Sequence, residues 1–383
     1  MTRRKRRKKM LQKLILYISS PIITAFLIKT VPDAAEYLDK ADSLMLVGKD
    51  KVAKQNIIAE PRRSMKYSED FEDVFNENYA VSSGYGYAEE IEEKTPALYE
   101  IVSENPGAKP YPTEWTKGGA IMRTTYGKFT GNSFFKLSKA GQVNNKTVVG
   151  SATLSNESKK LPEFKIKFNS DEPQVLIYHT HTTESFEPFV RDYYDATFNY
   201  RTTDETKNIV MVGNAIENQL KDAGIAVIHD TTIHDYPSYN GSYDRSRETI
   251  KKVLEQYPSI KVLLDVHRDA ISSNSIAYQP YVEIDGKEAA QIMIISGCDD
   301  GTMDMPDYMQ NFRLASLFQQ QIESDYKGLT RPILFDYRKY NQNMSTGALL
   351  FEIGSHGNTL EQVQYSGELV GKSIAKALLT IKE

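Results

Sequence analysis

From residue 173 onward, apolar runs alternate with amphipathic stretches. Runs of strand type fall at 175–178, 226–229, 262–266 and 348–353, and stretches of helical period fall at 206–223, 243–256, 307–326 and from 360. Two further runs, 281–284 and 291–295, flank Asp285-Gly286 and predict a hairpin. That order predicts an α/β fold, a twisted and largely parallel sheet with helices on both faces. Upstream, 120–168 carries short runs such as Phe134-Phe135 and Thr147-Val148-Val149 between Gly, Asn and Ser turns, the texture of a small β-rich subdomain. Residues 33–112 are polar and charged with short helical stretches, which fits a stalk. Before them, 14–28 is an uncharged apolar stretch flanked by Lys13 and Lys29. It reads as an N-terminal membrane helix, a retained anchor rather than a cleaved signal, because no small-residue cleavage site follows. The expected divisions are 1–31 for the basic segment and anchor, 32–118 for the stalk, 119–170 for the β-rich subdomain and 171–383 for the catalytic domain.

Composition sharpens this picture at two points. The 383-residue chain carries a net charge of −4 although residues 3–9 are all Lys or Arg, so the body is acidic and a nucleic-acid footprint is excluded. Those cations also orient the anchor, since basic flanks stay in the cytoplasm and everything after about residue 30 then lies across the membrane. Cys298 is the single cysteine, so stability must come from the core or from a metal rather than from an internal disulfide.

In open α/β sheets ligands sit beyond the carboxyl ends of the strands. Three of the predicted strands end in chemistry: His179-Thr180-His181 with Glu184 after the first, Asp265-Val266-His267-Arg268-Asp269 on a later one, and Glu352 on the last. Three of the six histidines in the chain sit at these ends. A hydrolytic zinc takes three protein ligands and keeps one position open for water, whose pKa it lowers. His181, Glu184 and His267 supply such a set, and Glu352 is the carboxylate that would move the proton. His179 is the alternative to His181, because residues two apart share a face in extended backbone. Asp265 either orients the His267 ring as an acceptor or caps a turn. Arg268 either holds a substrate carboxylate or pairs with Asp269. Asn358, past the last strand, joins Arg268 and Asp269 as an expected substrate contact. His229 and His234 are read as making local hydrogen bonds, and His356 as a loop residue.

At these positions the chain resembles the stage II sporulation protein P family. The resemblance is carried by His179-Thr-His-Thr-Thr-Glu184-Ser185, Thr232-Ile-His234-Asp-Tyr-Pro-Ser-Tyr239, Asp265-Val-His-Arg-Asp269, Tyr340-Asn-Gln342, Phe351-Glu-Ile-Gly354 and Asn358-Thr359. It implies a zinc N-acetylmuramoyl-L-alanine amidase, with an endopeptidase activity on crosslinks as well, acting on peptidoglycan during engulfment of the forespore. It also implies a zinc amidase-like fold, a place in the space between mother-cell and forespore membranes, and partners: a lytic transglycosylase and a polytopic membrane protein. The chain departs from the wider zinc amidases in one respect, since Glu184 follows His181 by only three residues where they place the ligand Glu much further on. Two other readings compete, a zinc endopeptidase or carboxypeptidase using the same site, and a wall-binding scaffold without hydrolysis.

Overall fold

The computed structural model describes residues 107–273 and 275–383. The expected anchor at 14–28 and nearly all of the expected stalk lie outside them, and among the described residues no helix is long and apolar enough to cross a membrane.

An eight-stranded sheet forms the centre. Its strands are β2 (Phe134–Lys136), β3 (Gln142–Asn145), β4 (Val175–Tyr178), β6 (Val227–His229), β7 (Val262–Asp269), β11 (Ile292–Gly297), β12 (Ile333–Asp336) and β13 (Ala348–Ser355), in the order β2-β3-β12-β11-β13-β7-β4-β6. The central strands β4 and β7 are buried along their whole length, as near-continuous apolar runs in a sheet covered on both faces should be. One face presents Ile177, Val266 and Phe351 to helices α2 (Val210–Asp222), α4 (Tyr308–Asp325) and α5 (Leu360–Leu379). The other presents Leu176, Tyr178 and Leu263 to Ile250 of α3 (Ser242–Gln256). A short helix, α1 (Ser151–Glu157), precedes β4. Helices α2 and α5 pack closely because α5 carries Gly367 and Gly371. A Cβ at Gly371 would stand 2.8 Å from Gln219 Cβ, closer than packed atoms tolerate. A capping box starts α5, with Thr359 and Gln362 satisfying each other's backbone N–H.

Three expectations are corrected. The sheet is mixed rather than largely parallel: β2 runs antiparallel to β3, and β11 antiparallel to β13. The cause of the second lies in the hairpin, whose far arm is 287–290 and not 291–295. β9 (Ile276–Ile284) turns through Asp285 and Gly286, both at positive φ, into β10 (Lys287–Ala290), and the chain then crosses into the main sheet as β11. Nor does the segment around 119–170 make a sheet of its own. β1 (Lys117–Thr124) pairs in parallel with β9 and antiparallel with β5 (Tyr193–Asp195), completing a second sheet to which β8 (Ser272–Ser273) adds on β9, while β2 and β3 extend the edge of the main sheet through β12. Short strands are marginal alone and gain stability by joining a larger sheet.

Candidate active site

The carboxyl ends of β4, β7 and β13 lie side by side, because these three strands are parallel neighbours. In that register Glu352 stands opposite His267, and Asp265 opposite Leu350 and Tyr178, so all of these side chains leave the α3 face of the sheet. After Tyr178 the chain turns. Thr180 fastens that turn to β7, donating from its backbone N and hydroxyl to the two oxygens of Asp265 at 2.9 and 2.7 Å. Thr183 does the same with Asp235, and the Glu184 N–H closes the turn onto the His181 carbonyl. The threonines between the two functional residues thus bring Glu184 back over β7.

The result is a cluster. Glu184 Oε2 is 3.6 Å from His267 Nδ1 and accepts the Arg268 backbone N–H at 2.9 Å. The His181 and His267 rings are perpendicular, with centroids 5.1 Å apart. Asp265 lies 2.8 Å from His267 Nε2, off the hydrogen-bond direction, and also fastens the turn after β4 through Thr180. Glu352 keeps part of its surface open to solvent, yet its Oε2 is buried without a hydrogen-bond partner.

The structure separates His179 from this cluster. The alternation of β4 runs on for one residue and puts His179 on the α2 side with Ile177, and the turn that follows breaks the period and swings His181 to the cluster. Its Nδ1–H donates to the Val266 carbonyl at 2.8 Å, which leaves Nε2 to accept from His229 Nε2 at 2.9 Å. Gly213 of α2 leaves the space: a Cβ there would lie 2.5 Å from His229 and 2.8 Å from His179. His234 makes local bonds, to the His179 carbonyl and Thr249.

The family model for stage II sporulation protein P (SpoIIP) matches residues 125–375, a span that holds every residue of this cluster. The chain belongs to the SpoIIP family. The stage II sporulation protein P of Bacillus subtilis (strain 168) is 28% identical over 205 residues, covering 51% of this chain and 48% of that protein, so the match spans about half the length of this curated relative. Solved structures with a similar arrangement include the N-acetylmuramoyl-L-alanine amidase AmiC2 of Nostoc punctiforme, 13% identical with a TM-score of 0.34 over 55% of this chain and 97% of that one. The CwlD amidase of Clostridioides difficile is another, 10% identical with a TM-score of 0.34 over 54% and 98% of the two chains.

Electrostatics in this SpoIIP chain follow from crowding of buried charge. Burial, with Asp269 and Glu184 adding repulsion, pushes the Glu352 carboxyl up to about 8. Burial likewise raises Glu184, against the pull of Arg268 and His267. Burial would lower His267, but Asp265, Glu184 and Glu352 outweigh it and raise the ring to about 9. His181 is held well below the usual range by burial and by the cations around it, and so stays neutral.

Three expected substrate contacts are corrected in this SpoIIP chain. Arg268 is buried, its guanidinium spent on the carbonyls of Ser185 at 2.9 Å and Tyr200 at 3.2 Å, so it holds the loop that carries Glu184. Asp269 is buried against Arg331 at 2.8 Å and caps the Ala270 N–H. Asn358 is fully buried, donating to the Pro280 carbonyl and Gln362 and accepting from the Ser355 N–H. Each looked exposed because it lies at or just past the end of an apolar run, but partners distant in sequence bury it. Sequence reasoning also missed Tyr239, Ser242, Tyr243 and Arg201. Tyr239 stacks on His181 and Tyr243 on His267, Ser242 contacts His181, and Arg201 lies 3.9 Å from Glu184. The signal for Tyr239 was present, since it ends one of the motifs that carry the family resemblance.

Proposed function

We propose that this chain is a peptidoglycan hydrolase of sporulation that cleaves the amide between N-acetylmuramic acid and L-alanine, with His181, Glu184 and His267 holding zinc and Glu352 moving the proton. The observation that carries this reading is the convergence of these four side chains at three adjacent strand ends.

The residues fit the ion by chemistry and by spacing. Two donors on a tetrahedral zinc lie about 3.4 Å apart, and two imidazoles on it have centroids about 5.2 Å apart. The corresponding separations here are 3.6 Å for Glu184 and His267 and 5.1 Å for the rings of His181 and His267. Among the described residues no three such side chains are yet closed on one point, so binding would draw them together by a small side-chain movement. Zinc in such a site supplies an acidified water and polarises the scissile carbonyl.

The protein's own groups do the rest. Glu352 takes the proton of the attacking water as the C–O bond forms, then gives it to the alanine nitrogen as the C–N bond breaks. The products are a free lactyl carboxylate on the sugar and a stem peptide with a free amine. Asp265 keeps the His267 ring in place, so Nδ1 remains the nitrogen that faces Glu184.

The outward-facing anchor, the engulfment setting and the two partner proteins belong to the same proposal. Digestion of purified peptidoglycan followed by mass spectrometry tests it. The expected result is stem peptides beginning with a free L-alanine amine, together with glycan strands stripped of peptide. New termini only within stems or crosslinks would instead establish the endopeptidase or carboxypeptidase reading, and undigested wall that still binds the protein would establish the scaffold.

A further inference from the structure

Tyr239 occupies a place that the proposed chemistry above leaves without a task. Its ring lies nearly parallel to that of His181, at 14° with centroids 4.6 Å apart, and its hydroxyl is 3.1 Å from His181 Nε2. That contact is a hydrogen bond whose direction depends on the imidazole tautomer. With Nδ1 protonated the hydroxyl donates to the Nε2 lone pair, and a metal that took this lone pair would turn the donor toward what the metal holds. The other nitrogen, Nδ1, is 3.3 Å from the hydroxyl of Ser242, at the start of α3, which can accept its proton and fix the tautomer that leaves Nε2 bare.

The phenol is itself held. On its other face the Arg201 guanidinium sits 4.7 Å from the ring centroid, and Asp235 pins that guanidinium at 2.6 Å. Asp235 also receives Thr183, so the ring is tied to the loop that places Glu184. A hydroxyl fixed beside Nε2 is placed beside whatever that nitrogen would hold.

We propose that Tyr239 is a catalytic residue whose hydroxyl donates a hydrogen bond to the oxygen of the scissile amide as that oxygen gains charge. This rests on the zinc amidase reading. No covalent change occurs at Tyr239, which keeps its proton throughout.

The test uses the full chain in detergent and two variants, Tyr239→Phe and Glu352→Gln. Tyr239→Phe keeps the stack and removes only the hydroxyl. The expected outcome is a kcat on muropeptide lowered about 10²-fold with KM nearly unchanged, the magnitude typical of one lost donor to a developing oxyanion. Zinc affinity, read by competition with a chelating dye, stays within twofold of the parent. A phosphinate analogue of the scissile amide, whose oxygens mimic the tetrahedral state, loses affinity in proportion to kcat/KM, while an uncleaved peptide ligand does not. A purely structural ring would not split the two ligands in this way. If Tyr239→Phe turns over like the parent while Glu352→Gln is dead, the assignment of Tyr239 is overturned and the hydrolase reading stands. If Tyr239→Phe loses activity only in proportion to lost zinc, the assignment is likewise overturned. If Glu352→Gln retains full turnover, it is the hydrolase reading that has failed.

Discussion

Glu352→Gln is expected to lower kcat on peptidoglycan about 10³-fold, about 4 kcal/mol of transition-state stabilisation, while the zinc content of the proposed site stays at the parent's level. The argument starts from the neighbours of the side chain. Glu352 stands in register with His267 on the adjacent parallel strand, and its buried Oε2 has no hydrogen-bond partner among the described residues. A carboxyl that holds nothing in the fold is free to act on what enters the site. Glutamine keeps the shape and one oxygen but cannot take up a proton, so the loss falls on turnover. Because Glu352 contributes no fastening bond, the melting temperature of the variant should stay close to the parent's. Measurement of kcat, zinc content and melting on one preparation separates a lost proton acceptor from a lost metal or a damaged fold.

His267→Ala is expected to abolish both the proposed zinc binding and the activity. His267 is the centre of the cluster, touching Asp265, Glu184 and the ring of His181. Replacing an outer partner such as Asp265 typically costs 10–100-fold in metal affinity, and removing a ligand costs more than that. In the metal-free protein His267 is also the cation that offsets three carboxyls, which is why its ring is raised to about 9. Its removal leaves Glu184 and Glu352, which burial already raises above the usual carboxylate range, with less compensation, so the metal-free variant is also expected to lose stability as pH rises from acid to neutral. Zinc titration and urea unfolding at two pH values check both halves of the expectation. A variant that binds zinc as the parent does would remove His267 from the ligand set.

The parts of this site that were legible in the sequence are those that depend on strand ends. The runs at 175–178, 262–266 and 348–353 are buried on both faces, so their apolar character is continuous and their ends are marked by the first polar residues. What was illegible depends on contacts across the fold. Whether His179 or His181 faces the cluster turns on the chain leaving the strand at Tyr178, and the bonds that bend it there go to Asp265, far along the sequence. Arg268, Asp269 and Asn358 carry the polar chemistry of a substrate site, yet Arg268 is taken up by the carbonyls of Ser185 and Tyr200, Asp269 by Arg331, and Asn358 by Pro280 of β9, in a second sheet that β1 and β5 complete. That sheet could not be foreseen because β1 pairs with a strand more than 150 residues away. The single residue Gln291 divides β10 from β11 without any turn signal. It is a buried side chain that satisfies the carbonyls of Tyr126 and Gly328, and only the assembled fold reveals it as the crossing point between sheets. β12 escaped notice because its short apolar run, Ile333 to Phe335, gives no alternation to read.

The central claim is a place in space, and anomalous X-ray scattering at the zinc edge locates it most directly. Crystals of the zinc-loaded protein should show one strong peak per chain within about 2.1 Å of His181 Nε2, His267 Nδ1 and a Glu184 oxygen, with Glu352 beside it and unbound. A peak between His179 and His229 on the α2 side of the sheet, or no peak at all in protein that still cleaves the wall, would contradict it.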